Sequence, residues 1–130
     1  MQKPAPTLGL RHIALFIKNF AECEHFYTVL LGMEIDWRPD ADNLYLTSGG
    51  DNFALHRAPA DFNPAKAQRL DHLGFFLKDA AAVDEWCDYL REAGVVIKAS
   101  PKDHRDGTRS FYCADPDGNT VQLIHYPRVK

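Results

Sequence analysis

Residues 10–18 read LRHIALFIK and residues 70–78 read LDHLGFFLK. Both stretches are rich in β-branched and aromatic residues, which suits a strand. In the first, Ile13, Leu15 and Ile17 alternate onto one face and leave His12, Ala14 and Phe16 on the other. In the second, the stripe is Leu73, Phe75 and Leu77, with His72, Gly74 and Phe76 opposite. Each stretch therefore carries one histidine on the face away from its hydrophobic stripe.

The likeness continues beyond these two strands. At an offset of 60, His12 falls on His72, Ile17 on Leu77, Phe26 on Trp86 and Leu30 on Leu90. LGMEI then matches AGVVI at an offset of 62, and ALHRAP matches QLIHYP at 68, so the insertions fall in loops. Between the matches, residues 19–31 have helical spacing, with Asn19 and Glu22 placed as a capping box and Gly32 as a stop. Strands are predicted over 33–37, 43–47 and 52–57, with turns at 39–42 and 48–51. Residues 59–69 form a connection with room for one helical turn. The second half predicts a helix over 79–92, strands over 95–99, 109–114 and 119–126, a polar loop over 100–108 and a tight turn at Asp115-Pro116-Asp117-Gly118. A repeat of this kind decides architecture. It predicts an α+β fold, one domain over residues 1–130, with two tandem βαβββ modules at about 8–58 and 69–127. Their strands form a cupped mixed sheet with helices on the outside.

Composition narrows the functional classes. Among 130 residues, 45% are hydrophobic and 25% charged, with a net charge of -3, so no nucleic-acid partner is expected. No apolar run is long enough to span a bilayer. The opening MQKPAP lacks the apolar core of a signal peptide, and a cytoplasmic location is expected. Cys23, Cys87 and Cys113 are odd in number and widely spaced. They fit reduced thiols acting as small buried hydrophobes rather than a disulfide framework or a zinc site.

With helices on the stripe side, His12 and His72 point into the concave side. Neutral imidazole is a good ligand for divalent ions such as Zn, Ni, Mn or Fe. The bland alternative is a polar pocket holding two histidines and no metal. The last strand of each half lies beside this pair. There, Thr120, Gln122 and Ile124 face the cavity in the second half, and Ala54 and His56 in the first.

Three features together carry a family resemblance: the histidine-bearing first strands, FYxxxLG at residues 26–32, and DPDGNxxxL at residues 115–123. From about Leu8 to Tyr126 the chain resembles the vicinal oxygen chelate superfamily, which includes glyoxalase, bleomycin-resistance and extradiol-dioxygenase relatives. The resemblance implies a divalent metal ion held by the first and last strands of each half. Carried over by position, its ligands fall on His12, Ala54, His72 and Gln122. The implied metal set here is therefore His12, His72 and Gln122. Members resembling glyoxalase I carry carboxylates at the positions of Ala54 and Gln122, and extradiol relatives carry one at Gln122. This chain has neither. Two imidazoles and an amide oxygen leave the cation's charge uncompensated, which weakens binding. An amide is also a poor general base, so glyoxalase-type proton transfer and extradiol cleavage both lose a needed group.

Substrate contacts are expected from His56, Tyr112 and Arg109. His56 reads first as a polar strand end, with a replacement ligand or a substrate contact as the alternatives. Tyr112 matches a tyrosine that contacts an anionic substrate in relatives resembling the fosfomycin-resistance thiol transferases, and otherwise reads as core. Lys102, His104 and Arg105 read as a solvated loop or as a basic cover over an acidic ligand. Two functions lead, ahead of a third in which the site has decayed and the module serves regulation. One is a metal-dependent lyase, isomerase or dioxygenase acting on a small oxygen-rich, anionic substrate. The other is a metal-free sequestering protein with Phe16, Phe76, Trp37 and Tyr112 as walls. The resemblance also implies a homodimer.

Overall fold

The computed structural model describes residues 2–127. In chain order the elements are β1 (His12–Ile17), α1 (Phe20–His25) with a following π-helical turn (Phe26–Leu30), β2 (Glu34–Asp40), β3 (Asn43–Thr47), β4 (Asn52–Arg57), α2 (Pro64–Ala67), β5 (Leu73–Phe76), α3 (Ala80–Glu92), β6 (Ile97–Asp103), β7 (Arg109–Ala114) and β8 (Thr120–His125). They form two four-stranded mixed sheets, ordered β1-β4-β3-β2 and β5-β8-β7-β6. The first strand of each sheet runs parallel to the last, and the other pairs are antiparallel. This is an α+β fold of two βαβββ modules, each wound in the same order.

Alternation fixes which face is buried. Leu15 and Ile17 on β1 and Phe53 and Leu55 on β4 are buried, while His12, Ala14 and Phe16 are exposed. Leu73, Val121 and Leu123 do the same in the second module. One hydrophobic core runs through both modules. α3 packs on β6, β7 and β8, with Val83, Cys87 and Leu90 turned inward. Asp79 caps it by accepting from the Ala82 N–H at 2.8 Å.

The other helix departs from expectation. Asn19 makes no capping bond to α1, and the Asn19–Glu22 capping box does not form. Asp117 of the β7–β8 turn takes over instead. Its carboxylate accepts from the backbone N–H of Lys18 (2.8 Å) and Asn19 (2.6 Å), and from the Asn19 side chain (2.9 Å). Beside it, Asp115 is 3% exposed. Its carboxylate accepts from the N–H of Asp117 and Asn119, from the Asn119 amide and from the Tyr27 hydroxyl at 2.8 Å. The DPDGN segment therefore clasps the helix of the opposite module. Tyr27 itself is fully buried, edge-on to Phe53 of the first module and tilted against Phe75 of the second.

Two strands run further than expected. β2 continues through Pro39 and Asp40, read above as a turn, and β6 continues into the polar loop as far as Asp103. Both are outer edge strands, and most of their residues are exposed, so no period-2 signal marks them. Conversely, β5 is short and leaves His72 just ahead of it. The pairing of β2 shifts register at Ile35/Trp37 and Trp37/Asp40, and that of β6 at Ile97/Ala99 and Ala99/Lys102. These are equivalent places in the repeat, so the irregularities are duplicated along with the strands.

All three cysteines are buried and free. Burial, aided by the Asp115 charge, raises the Cys23 thiol and pushes Cys113 up to about 12. Burial also raises Cys87. Native protein is expected to resist a thiol-specific reagent at mildly alkaline pH and to react fully once denatured; fast labelling of the native state would contradict this packing. Tyr27→Phe is expected to lower stability by about 1–3 kcal/mol, because a buried carboxylate loses one donor. A urea titration checks it through the shift in midpoint.

Candidate functional site

A cavity of about 670 Å³ lies between the two modules and is lined by residues of both. Its lining includes His12, Asn52, His72, Gly74, Phe76 and Gln122. The structure therefore brings the three sequence-predicted metal residues to one cavity, with one histidine from each module. Ala54, the fourth position, is fully buried and has no donor to offer.

Each histidine is oriented through its far nitrogen. β1 pairs with β4 so that His12 lies opposite Asn52. The Asn52 carbonyl oxygen sits 2.7 Å from His12 Nδ1 and accepts its proton. His72 Nδ1 lies 2.5 Å from the carboxylate of Asp71. With Nδ1 protonated in both rings, Nε2 keeps its lone pair, the arrangement that prepares an imidazole to be a ligand. Neither Asn52 nor Asp71 is marked by the sequence pattern. Asp71 was adjacent to His72 in the chain, but Asn52 becomes visible only through strand register.

Gln122 is held as closely. Its Nε2 donates to Ser110 Oγ (3.0 Å) and to the Tyr112 hydroxyl (3.1 Å). Gly74 is its partner across β5 and β8. A Cβ added there would stand 3.7 Å from Gln122 Oε1, in ordinary van der Waals contact. Tyr112 is half-buried and stands edge-on to the His72 ring at 5.5 Å between centroids. It is neither simple core nor free: it ties Gln122 to His72.

The other expected contacts are distributed differently. His56 lies on the concave face of the first module, with Nδ1 2.6 Å from the Asn43 carbonyl oxygen and its ring between Phe16 and Tyr45. Trp37 stacks on Tyr45 nearby. Arg109 is turned the other way. Alternation on β7 puts Ser110 on the cavity side, which sends Arg109 to α3, where it pairs with Asp84 (2.8 Å) and with Asp103 (3.0 Å). Hydrogen bonds from Arg109 lower the Asp84 carboxyl, and both carboxylates raise the guanidinium. Arg109 is committed to those partners and does not reach the cavity. A cation on the concave face is Lys98, whose ammonium donates to Thr120 Oγ1. In the polar loop, His104 is not simply solvated, since its Nε2 meets Ser110 Oγ at 2.9 Å.

Among the described residues, no three histidine, cysteine or carboxylate side chains converge as a metal-binding group. The candidate set contains only two such residues and completes itself with an amide. A second cavity of about 610 Å³ lies on the helix side, between α1 and the start of β6. It presents Glu22 and His25 among mostly apolar neighbours. No helix among the described residues is long and apolar enough to cross a membrane.

The profile of the Glyoxalase/Bleomycin resistance protein/Dioxygenase superfamily matches residues 9–123, and the chain belongs to this family. Solved structures agree on the fold. A lactoylglutathione lyase from Agrobacterium tumefaciens superposes with a TM-score of 0.77 at 23% identity, covering 93% of this chain and 96% of its own. A glyoxalase-related enzyme from Fulvimarina pelagi gives 0.73 at 17% identity, covering 93% and 90%. A glyoxalase/bleomycin resistance protein/dioxygenase from Alicyclobacillus acidocaldarius gives 0.70 at 19%, covering 92% of each.

The placement of Arg109 has a checkable consequence. A carboxyl lowered in the folded state stabilises above its unfolded pKa, and that contribution is lost as pH falls through the folded value. Arg109→Gln is therefore expected to cause a slight loss of stability at neutral pH and none at strongly acidic pH. Half-exposed pairs of this kind contribute little. Ligand or metal affinity at the seam is expected to stay unchanged, which calorimetric titration would show.

Proposed function

We propose that this chain is a metal-dependent enzyme of lyase, isomerase or dioxygenase type, acting on a small oxygen-rich anion bound through adjacent oxygens. The observation that carries the reading is the pair His12 and His72. They occupy equivalent positions of the repeat, line one cavity with Gln122, and have Nδ1 committed to an oxygen acceptor. The donor types fit Zn, Ni, Mn or Fe, since imidazole nitrogen suits all four. When bound, a divalent ion would supply Lewis acidity that stabilises negative charge on a substrate oxygen.

The chain's own residues define the rest. His12 and His72 offer Nε2, and Asn52 and Asp71 keep the rings in the tautomer that allows it. Gln122 offers Oε1. All three donors are neutral, so a bound cation gains from a substrate that carries negative charge. Arg11 lines the same cavity and adds positive charge that favours such a substrate. Phe76 lines the cavity and offers it an apolar wall. No carboxylate replaces the missing ligand at Gln122, so proton transfer of the glyoxalase type is not part of this proposal. A cytoplasmic location and a homodimer belong to the same reading.

The second reading is metal-free sequestration of a small molecule. The exposed aromatic groups Phe16, Trp37 and Phe76 favour it. Elemental analysis of untagged protein prepared without chelator separates the two. Near-stoichiometric Ni, Zn, Mn or Fe that is lost in His72→Ala is the expected result. Absence of metal after reconstitution would leave sequestration. Gln122→Glu is expected to tighten metal binding on the order of tenfold or more, because an anionic oxygen replaces a neutral one. Unchanged affinity in that variant would remove Gln122 from the ligand set.

A further inference from the structure

An amide side chain presents an acceptor oxygen at one end and two N–H donors at the other, in nearly the same shape. Only the oxygen end of Gln122 can serve a cation. Something must therefore select which end faces the cavity, and the selection begins at Ser110.

Ser110 is 1% exposed, so its hydroxyl proton needs a protein acceptor. Its oxygen already accepts from Gln122 Nε2 at 3.0 Å. The acceptor in reach is His104 Nε2, at 2.9 Å. The consistent chain of donation runs from Gln122 to Ser110 to His104, with the His104 ring proton on Nδ1. Reversing the amide would make Ser110 donate to Gln122 Oε1. His104 would then have to donate from Nε2 to keep the buried oxygen satisfied. The tautomer of a loop histidine and the polarity of the amide are thus one coupled choice. Tyr112 accepts the second amide N–H and is indifferent to that choice, because a phenol hydroxyl can accept or donate.

We propose that His104 is a positioning residue which, through the buried Ser110 hydroxyl, holds the carbonyl oxygen of Gln122 toward the cavity. The proposal rests on Gln122 serving the ion proposed above, yet its hydrogen-bond chain is measurable without metal. Long-range proton–nitrogen correlation of metal-free protein at about pH 8, where imidazole is neutral, is expected to find His104 protonated on Nδ1. In Gln122→Glu, whose carboxylate only accepts, Ser110 turns its proton to residue 122 and His104 moves its proton to Nε2. Calorimetric titration with Ni²⁺ supplies the second readout. His104→Gln retains an acceptor for Ser110 and is expected to stay within about threefold of the parent affinity, whereas His104→Lys, which only donates, loses about tenfold. An Nε2–H tautomer in the parent protein, or equal affinities for the lysine variant and the parent, would overturn the proposal. A parent that binds no Ni²⁺ would instead defeat the metal reading, and the tautomer would still decide the relay.

Discussion

A carboxylate taken out of water is tolerated only when its oxygens are fully occupied. Asp115 meets that condition with four donors, three from its own turn and one from Tyr27 of the other module. The turn can shape itself, but the fourth bond exists only if the two modules sit correctly against each other. Asp117 adds a second tie by closing over the start of α1. Since the cavity lies on the seam between the modules, these bonds on the far side of the core help fix the relation between His12 and His72. The DPDGN segment looks like a connector, and its chemistry is that of an interface.

Charge sets the character of the cavity. Two histidines and a glutamine bring donors without negative charge, and Arg11 and Asp51 line the same cavity with opposite charges. Asp71 offers partial compensation through the His72 ring, but its side chain is 96% exposed, so water screens much of that effect. A site of this composition gains most from a ligand that carries its own charge. The same physics explains why neutral supports matter here: with no strong ionic attraction to organise the donors, the hydrogen bonds that Asn52, Ser110 and Tyr112 accept must do so.

Much of this was legible in the chain because it was written twice. The paired LRHIALFIK and LDHLGFFLK stretches gave the modules, the buried faces and the two histidines, and Asn43–Thr47, Asn52–Arg57 and Arg109–Ala114 appear with their expected ends. What stayed hidden depended on contacts between distant residues. Nothing local announces that Asn19 will answer to Asp117 rather than to its own helix. Arg109 looked like a ligand contact because its neighbours Ser110 and Tyr112 do face the site; a one-residue alternation sends it to Asp84 instead. β2 and β6 lacked a pattern because strands at an outer edge with few buried residues have no pattern to show.

Those outer strands have a consequence for how molecules of this chain meet. Pro39 and Pro101 each remove a backbone donor, and both occupy the same place in the repeat, next to matching slips in pairing. A broken ladder makes a poor template for another molecule's backbone. Lateral strand stacking is thereby discouraged along β2 and β6, which steers encounters between copies away from those two borders.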